Sequence, residues 1–297
     1  MATKKKVASP AVDREQRDIM FDNMTFAASE AYKLLRTNLL FSMPEKPCRI
    51  VGVTSSMRGE GKSTTAANLA YTVAQSGKRV LLIDADMRLP TAHTKVGVKA
   101  APGLSNLLAG LSHEKATIQV SPYYENWYVL AAGDIPPNPS ELLGSQRMES
   151  LLQSLSEIFD YIILDLPPIN IVADALVISP WTDGLVVVVR QNYTSRRALD
   201  DCMYQIRKIG AKFLGFVMTD VSMEKAGYGK YGKYGKYGKY GKYGKSYGYG
   251  YGYGYGYGYE NAEGSTKGKK SDAFIKATGA SSAAKAEKRS QESDEET

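Results

Sequence analysis

Residues 49–70 read RIVGVTSSMRGEGKSTTAANLA. A short β-branched run, RIVGVTS, enters a turn of small residues that opens directly onto a helical pattern starting at Ser63. At such a turn the backbone N–H groups of the loop and of the helix N-terminus converge on one point, where phosphate oxygens replace water as acceptors. Lys62 is placed to reach the β and γ phosphates of a nucleotide, and the Ser63 hydroxyl to ligate Mg²⁺. Gly59, Glu60, Gly61, Lys62, Ser63 and Thr64 are therefore the candidate ATP-binding residues. The strict P-loop pattern asks for glycine five places before Gly61, and Ser56 stands there instead.

Four further apolar runs have the same character: RVLLIDAD (79–86), YIILDLPP (161–168), DGLVVVVR (183–190) and FLGFVMT (213–219). Helical patterns separate them over 63–76, 140–159 and 195–209, and an earlier amphipathic helix is expected in SEAYKLLRTNLLFS with Ser29 as its cap. Continuous apolar strands alternating with helices predict an α/β fold: a mostly parallel, doubly wound sheet covered on both faces. The expected domains are a flexible arm over 1–24, a P-loop domain over 25–222, a Tyr/Gly/Lys-rich tail over 223–259 and a charged disordered tail over 260–297.

The net charge of +7 belongs to the tail, since residues 225–297 hold fourteen Lys/Arg against eight Asp/Glu and the remainder is near neutral. Only Cys48 and Cys202 occur, far apart, which gives no support to a disulfide framework or a structural zinc site. No apolar run approaches the ~20 residues that cross a bilayer, so a cytoplasmic chain is expected, with any membrane role borrowed from a partner.

Two carboxylate sites accompany the loop. Asp165 ends YIILD, where a strand-end carboxylate can hold Mg²⁺ directly or through water. Asp84 and Asp86 end VLLIDAD two residues apart, so on an extended strand both point to one side. The alternative for Asp86 is a turn cap or a pair with Arg88. Lys62, Asp84, Asp86 and Asp165 are the candidate catalytic residues, and Ser63, Asp84 and Asp165 the candidate metal ligands.

From Gly227 the chain runs through Tyr-Gly-Lys repeats into Tyr-Gly repeats, with too much glycine for a helix and no aliphatic residues for a core. Tyr228, Tyr231, Tyr234, Tyr237, Tyr240, Tyr243, Tyr247, Tyr249, Tyr251, Tyr253, Tyr255, Tyr257 and Tyr259 make thirteen of the 21 tyrosines. A flexible Gly-rich chain spans ~5 to 6 Å × √n, so this stretch reaches roughly 30 Å. Each phosphate on a tyrosine would add about −1.5 to −2 to its charge, enough over a few sites to reverse the sign of the tail.

Taken together, SSMRGEGKST, VLLIDADMRLP, GLSNLLAG, AAGDIPPNPSELLGS, IILDLPPINIVADA and the tyrosine-rich tail resemble the bacterial tyrosine kinases of capsule and exopolysaccharide systems, from about Glu30 to Asp220. The resemblance implies a P-loop domain of the partition-ATPase-like type that uses ATP and Mg²⁺ to phosphorylate its own tail tyrosines in trans. It also implies recruitment to the inner face of the membrane by a separate membrane-embedded activator of the polysaccharide export family, resetting by a phosphotyrosine phosphatase, and control of polysaccharide synthesis. Glu30, Lys33 and Arg36 fall where the family's acidic-basic-basic pattern mediates ring assembly, with lysine in place of the usual middle arginine. Thr219 stands where the family usually has asparagine near the adenine. No nucleic-acid partner is expected. The competing reading is a nucleotide-switched scaffold ATPase whose tail merely binds a surface.

Overall fold

In the computed structural model, which describes residues 20–221, helix α1 (Phe26–Ser42) leads into β1 (Arg49–Ser55), α2 (Lys62–Ala74), β2 (Val80–Asp84) and α3 (Ala92–Val96). Two short helices, α4 (Leu104–Leu108) and α5 (Glu114–Thr117), precede β3 (Ile118–Val120) and β4 (Trp127–Leu130). Helices α6 (Pro139–Leu143) and α7 (Gln146–Ser156) then lead to β5 (Tyr161–Asp165), α8 (Asp174–Ile178), β6 (Gly184–Arg190), α9 (Arg196–Lys208) and β7 (Phe213–Thr219). The seven strands lie in the order β3-β4-β2-β5-β1-β6-β7, all parallel except β3, which runs antiparallel to β4. The expected α/β class and mostly parallel sheet are present. The tail tyrosines and residues 260–297 lie outside the described residues.

The central strands are apolar on both sides because both sides are covered. Leu81, Ile83, Ile162, Leu164, Leu185 and Val187 pack on one face with α7 and α9 residues such as Leu152, Leu155 and Ile206. Their neighbours Val80, Leu82, Tyr161, Ile163, Val186 and Val188 pack on the other face with Ala66, Ala70 and Val73 of α2. The alanines let α2 lie close to the sheet, which fixes the direction of its N-terminus at the strand ends.

Several expectations need correction. The pair β3 and β4 is not among the five expected strands; it extends the sheet beyond β2 through Trp127 and Val129, both fully buried. The helix expected over 140–159 is two helices, because Ser145 accepts from the Met148 N–H at 3.3 Å and starts a new one. The cap of α1 is Thr25, whose hydroxyl accepts from the Ala28 N–H at 3.2 Å, so the helix begins a turn before Ser29.

Packing also starts earlier than residue 25. Met20 and Phe21 are buried, and a 3-10 turn spans Phe21–Asn23. The Phe21 ring lies 5.0 Å from Trp127 and 4.4 Å from Tyr123, and its N–H donates to Asn68 Oδ1 at 3.1 Å. Tyr71 of α2 donates to the Asp22 carboxylate from the next position. This staple ties the entry of the chain to α2 and thereby to the phosphate loop. Phe21→Ala removes a buried ring and is expected to lower stability by about 3 kcal/mol, read from urea unfolding followed by tryptophan fluorescence.

Candidate active site

Strands β2, β5 and β1 lie side by side and end at the same edge, where Asp84 and Asp165 sit in register as neighbours. The phosphate loop, residues 56–61, leaves β1 at that edge and enters α2. Its turn requires glycine at two places: Gly59 has φ +79° and Gly61, the residue preceding α2, has φ +94°.

Lys62 is the centre of the ligand-free site. Its ammonium lies 2.8 Å from Asp86 Oδ2, 3.2 Å from Asp165 Oδ1 and 3.2 Å from Ser63 Oγ. Burial disfavours its charge, yet Asp165 and Asp86 override burial and hold the ammonium above its ordinary proton affinity. Asp165 has the reverse problem: burial raises its pKa, against the opposing pull of Lys62 and a Ser63 hydrogen bond. Its Oδ2 is buried with no hydrogen-bond partner. An unmatched carboxylate oxygen near a serine hydroxyl is the donor set a hard divalent cation takes, so these residues fit Mg²⁺.

The two aspartates of VLLIDAD are brought to this edge, but not as two residues of one strand. Strand β2 ends at Asp84, so Asp86 lies past it in the following turn. Asp84 is fully buried, and its oxygens accept from the N–H groups of Asp86 at 3.2 Å, Thr91 at 3.0 Å and Ala92 at 2.9 Å. Burial first, then the neighbouring Asp165, push its carboxyl up to about 8. Asp86 lines a cavity of about 300 Å³ together with the phosphate loop, Arg88, Lys95 and Pro168. Arg88 does not pair with Asp86; it pairs with the buried Asp174.

Three features went unread in the sequence. The first is the bracing role of Glu60, which the sequence offers only as one of the candidate ATP-binding residues of the loop. Its buried carboxylate accepts from the Ser56 hydroxyl at 2.8 Å, the Met57 N–H at 2.8 Å and the Thr194 hydroxyl. Ser56 thus earns its place in the pattern by bracing the loop through Glu60. The second is the outer clamp: Tyr193 donates to the Arg58 carbonyl at 3.1 Å, Arg190 to the Gly59 carbonyl at 3.3 Å, and Thr219 to the Glu60 carbonyl at 2.8 Å. The third is Lys95, which lines the same cavity and forms no ion pair or side-chain hydrogen bond among the described residues, its pKa lowered by burial. Glycine spacing and acidic strand ends are visible in a sequence; long-range hydroxyl-to-loop contacts carry no such signal.

Of the expected interface residues, Glu30 and Lys33 pair with each other on the exposed side of α1 at 2.7 Å. Arg36 turns inward and donates to the Thr72 carbonyl of α2 at 2.8 Å.

The matching family is the AAA domain, over residues 48–215, in keeping with the P-loop and the parallel sheet. The chain is 40% identical over 197 residues to the tyrosine-protein kinase YwqD of Bacillus subtilis strain 168, covering 66% of this chain and 83% of that protein. Among solved structures, the kinase domain of the Escherichia coli tyrosine kinase ETK is 31% identical with a TM-score of 0.65, covering 78% of this chain and 84% of that one. The chimerical protein CapA2B2 is 34% identical with a TM-score of 0.64, covering 69% and 89%. Fold and loop together define a P-loop nucleotide-binding domain. Within that class, the chain belongs to the bacterial tyrosine-protein kinases of the capsule family.

Two outcomes test this site. Glu60→Ala leaves the Ser56 and Thr194 hydroxyls and the Met57 N–H without their acceptor, which is expected to cost about 2 to 4 kcal/mol of stability and to weaken nucleotide binding, measured by unfolding and calorimetry. The second concerns pH. A carboxyl whose proton affinity is raised in the folded state stabilises the fold below its unfolded pKa and loses that contribution as pH rises through the folded value of about 8. In ligand-free protein, Asp84→Asn is therefore expected to gain stability relative to the parent as pH rises from about 5 to 8.

Proposed function

We propose that the chain is an ATP-dependent protein-tyrosine kinase that phosphorylates the tyrosine cluster of its own C-terminal tail in trans and thereby regulates capsular or exopolysaccharide synthesis. The observation that carries this reading is the convergence of Lys62, Ser63, Asp84, Asp86 and Asp165 at one strand edge, in a chain that carries thirteen Gly-flanked tyrosines between residues 228 and 259. The relatives reported above do not favour the scaffold alternative.

In this reading the backbone of Gly59, Glu60 and Gly61 with Lys62, Ser63 and Thr64 holds the ATP phosphates, and Ser63 and Asp165 hold Mg²⁺ with Asp84 beside them. The bound cation neutralises phosphate charge and helps orient the terminal phosphoryl group. On binding, Lys62 would exchange Asp86 and Asp165 for the ATP phosphates, and Asp165 would be left to the bound cation. A phenol has an ordinary pKa near ~10 and needs a nearby base to become a nucleophile at neutral pH. The Asp84 and Asp86 pair meets that need: Asp86 stands at the cavity wall, and Asp84 behind it has its proton affinity raised to about 8.

Transfer in trans requires neighbouring copies, and the exposed Glu30 and Lys33 are placed to contribute to such an assembly. No helix among the described residues is long and apolar enough to cross a membrane. Recruitment to the inner face of the cell membrane is accordingly assigned to a membrane-embedded activator, and reversal to a phosphotyrosine phosphatase. The test is intact-mass measurement of the purified full chain, with the activator's cytoplasmic segment, before and after incubation with ATP and Mg²⁺. Phosphates are expected on tyrosines between 228 and 259, with the rate reduced at least ~100-fold in Lys62→Met. A tail that stays unmodified under these conditions overturns the reading.

A further inference from the structure

One ion pair at the cavity is tied to neither the phosphate loop nor the metal side. Asp174, the first residue of α8, is fully buried and holds Arg88 with two parallel hydrogen bonds, Nε to Oδ2 at 2.9 Å and Nη2 to Oδ1 at 3.1 Å. Ser140 of α6 completes the arrangement: its hydroxyl donates to Asp174 Oδ1 and lies 3.1 Å from Arg88 Nη2. Three separate stretches, the turn after β2, the Pro-rich entry to α6 and the start of α8, meet at one guanidinium.

A buried carboxylate that grips the Nε and Nη2 edge fixes the plane of the guanidinium and leaves the other edge free. Nη1 has no hydrogen bond among the described residues, and Arg88 lines the same cavity as Lys62, Ser63 and Asp86. The cavity wall thus carries a preorganised donor in the same cavity as the phosphate loop, its guanidinium plane already fixed by folding.

We propose that Arg88 is a further catalytic residue, donating its free Nη1 edge to the phosphoryl group in transfer, and that Asp174 and Ser140 are positioning residues that aim it. The proposal rests on the kinase reading. In the step, the tyrosine Oη forms its bond to the γ-phosphorus while the bond from that phosphorus to the β,γ-bridging oxygen breaks. The bridging oxygen departs with the electron pair as part of ADP, and the phenolic proton passes to the Asp84 and Asp86 pair. Charge spreads over the three equatorial oxygens, where a fixed donor is worth more than in the ground state. After transfer the same oxygens belong to phosphotyrosine, so the site also recognises an aryl phosphate.

The experiment uses the full chain and two readouts. Tail phosphorylation is followed at varied ATP, and binding of phenyl phosphate is measured by calorimetry in the presence of ADP and Mg²⁺. Arg88→Gln is expected to lower kcat about 100-fold with KM for ATP changed less than threefold, and to weaken phenyl phosphate at least tenfold. Arg88→Lys keeps the charge but loses the fork and is expected to recover less than a tenth of the lost rate. Ser140→Ala, which leaves the ion pair in place, is expected to lower kcat and phenyl phosphate affinity together by several-fold. A purely structural staple would lower the melting temperature in these variants and leave phenyl phosphate binding unchanged, and that result overturns the proposal. So does an Arg88→Lys variant within threefold of the parent in kcat. If the parent chain transfers no phosphate to its tail, the kinase reading fails, while phenyl phosphate binding and its loss in Arg88→Gln still report on Arg88.

Discussion

The site depends on an imbalance of buried charge. Lys62 is one cation set against Asp84, Asp86 and Asp165, all nearly or wholly out of contact with water. It pairs directly with two of them, while Asp84 relies on backbone N–H groups and Asp165 keeps one oxygen unmatched. Charges removed from water are costly unless each is paired and hydrogen-bonded. The arrangement meets this condition only in part, and burial raises the pKa of both Asp84 and Asp165. In the proposed reading a divalent cation would offset Asp165, and the nucleotide phosphates would give Lys62 a new anionic partner. Ligand affinity is therefore stored in the fold as incomplete compensation.

That reservoir is useful only if the loop keeps its shape when Lys62 moves. Two independent braces secure it. From within, Glu60 gathers Ser56 and the Met57 N–H around a carboxylate that has no cationic partner among the described residues; from outside, Thr194, Tyr193, Arg190 and Thr219 fasten the loop to the ends of β6 and β7. Thr219 belongs to this clamp. Its methyl would sit 3.3 Å from any Cβ at Gly61, a tight contact added to the φ of +94° that already requires glycine there. Charge rearrangement at Lys62 is thus separated from motion of the loop backbone.

How much of this was readable follows from the range of each interaction. The parallel core was legible because its strands are buried on both faces and appear as unbroken apolar runs, and the phosphate loop because glycine spacing at a strand-to-helix turn is a local constraint. The carboxylates at 84, 86 and 165 were legible as strand-end residues, though the premise that 84 and 86 share an extended strand was not met, since β2 stops at Asp84. Strands β3 and β4 escaped because they are three and four residues long. Phe21 and Arg88 escaped for another reason: each is set by a partner far along the chain, and nothing local marks a phenylalanine bound for Trp127 or an arginine bound for Asp174.

The same reasoning divides the charged pattern of α1. Read on the helix alone, Glu30, Lys33 and Arg36 form one face. In the fold, Arg36 lies deeper and its guanidinium is taken by a carbonyl near the end of α2, while Glu30 and Lys33 remain about half exposed. An exposed pair at this spacing contributes only a few tenths of a kcal/mol within its own helix, so releasing it to new partners costs little. Phe26, Leu34 and Phe41, all exposed on the same helix, add the apolar area that charges alone cannot supply. An assembly through α1 would then draw its energy from these apolar side chains and its register from Glu30 and Lys33, with Arg36 holding the helix to α2, whose first residue, Lys62, follows the phosphate loop.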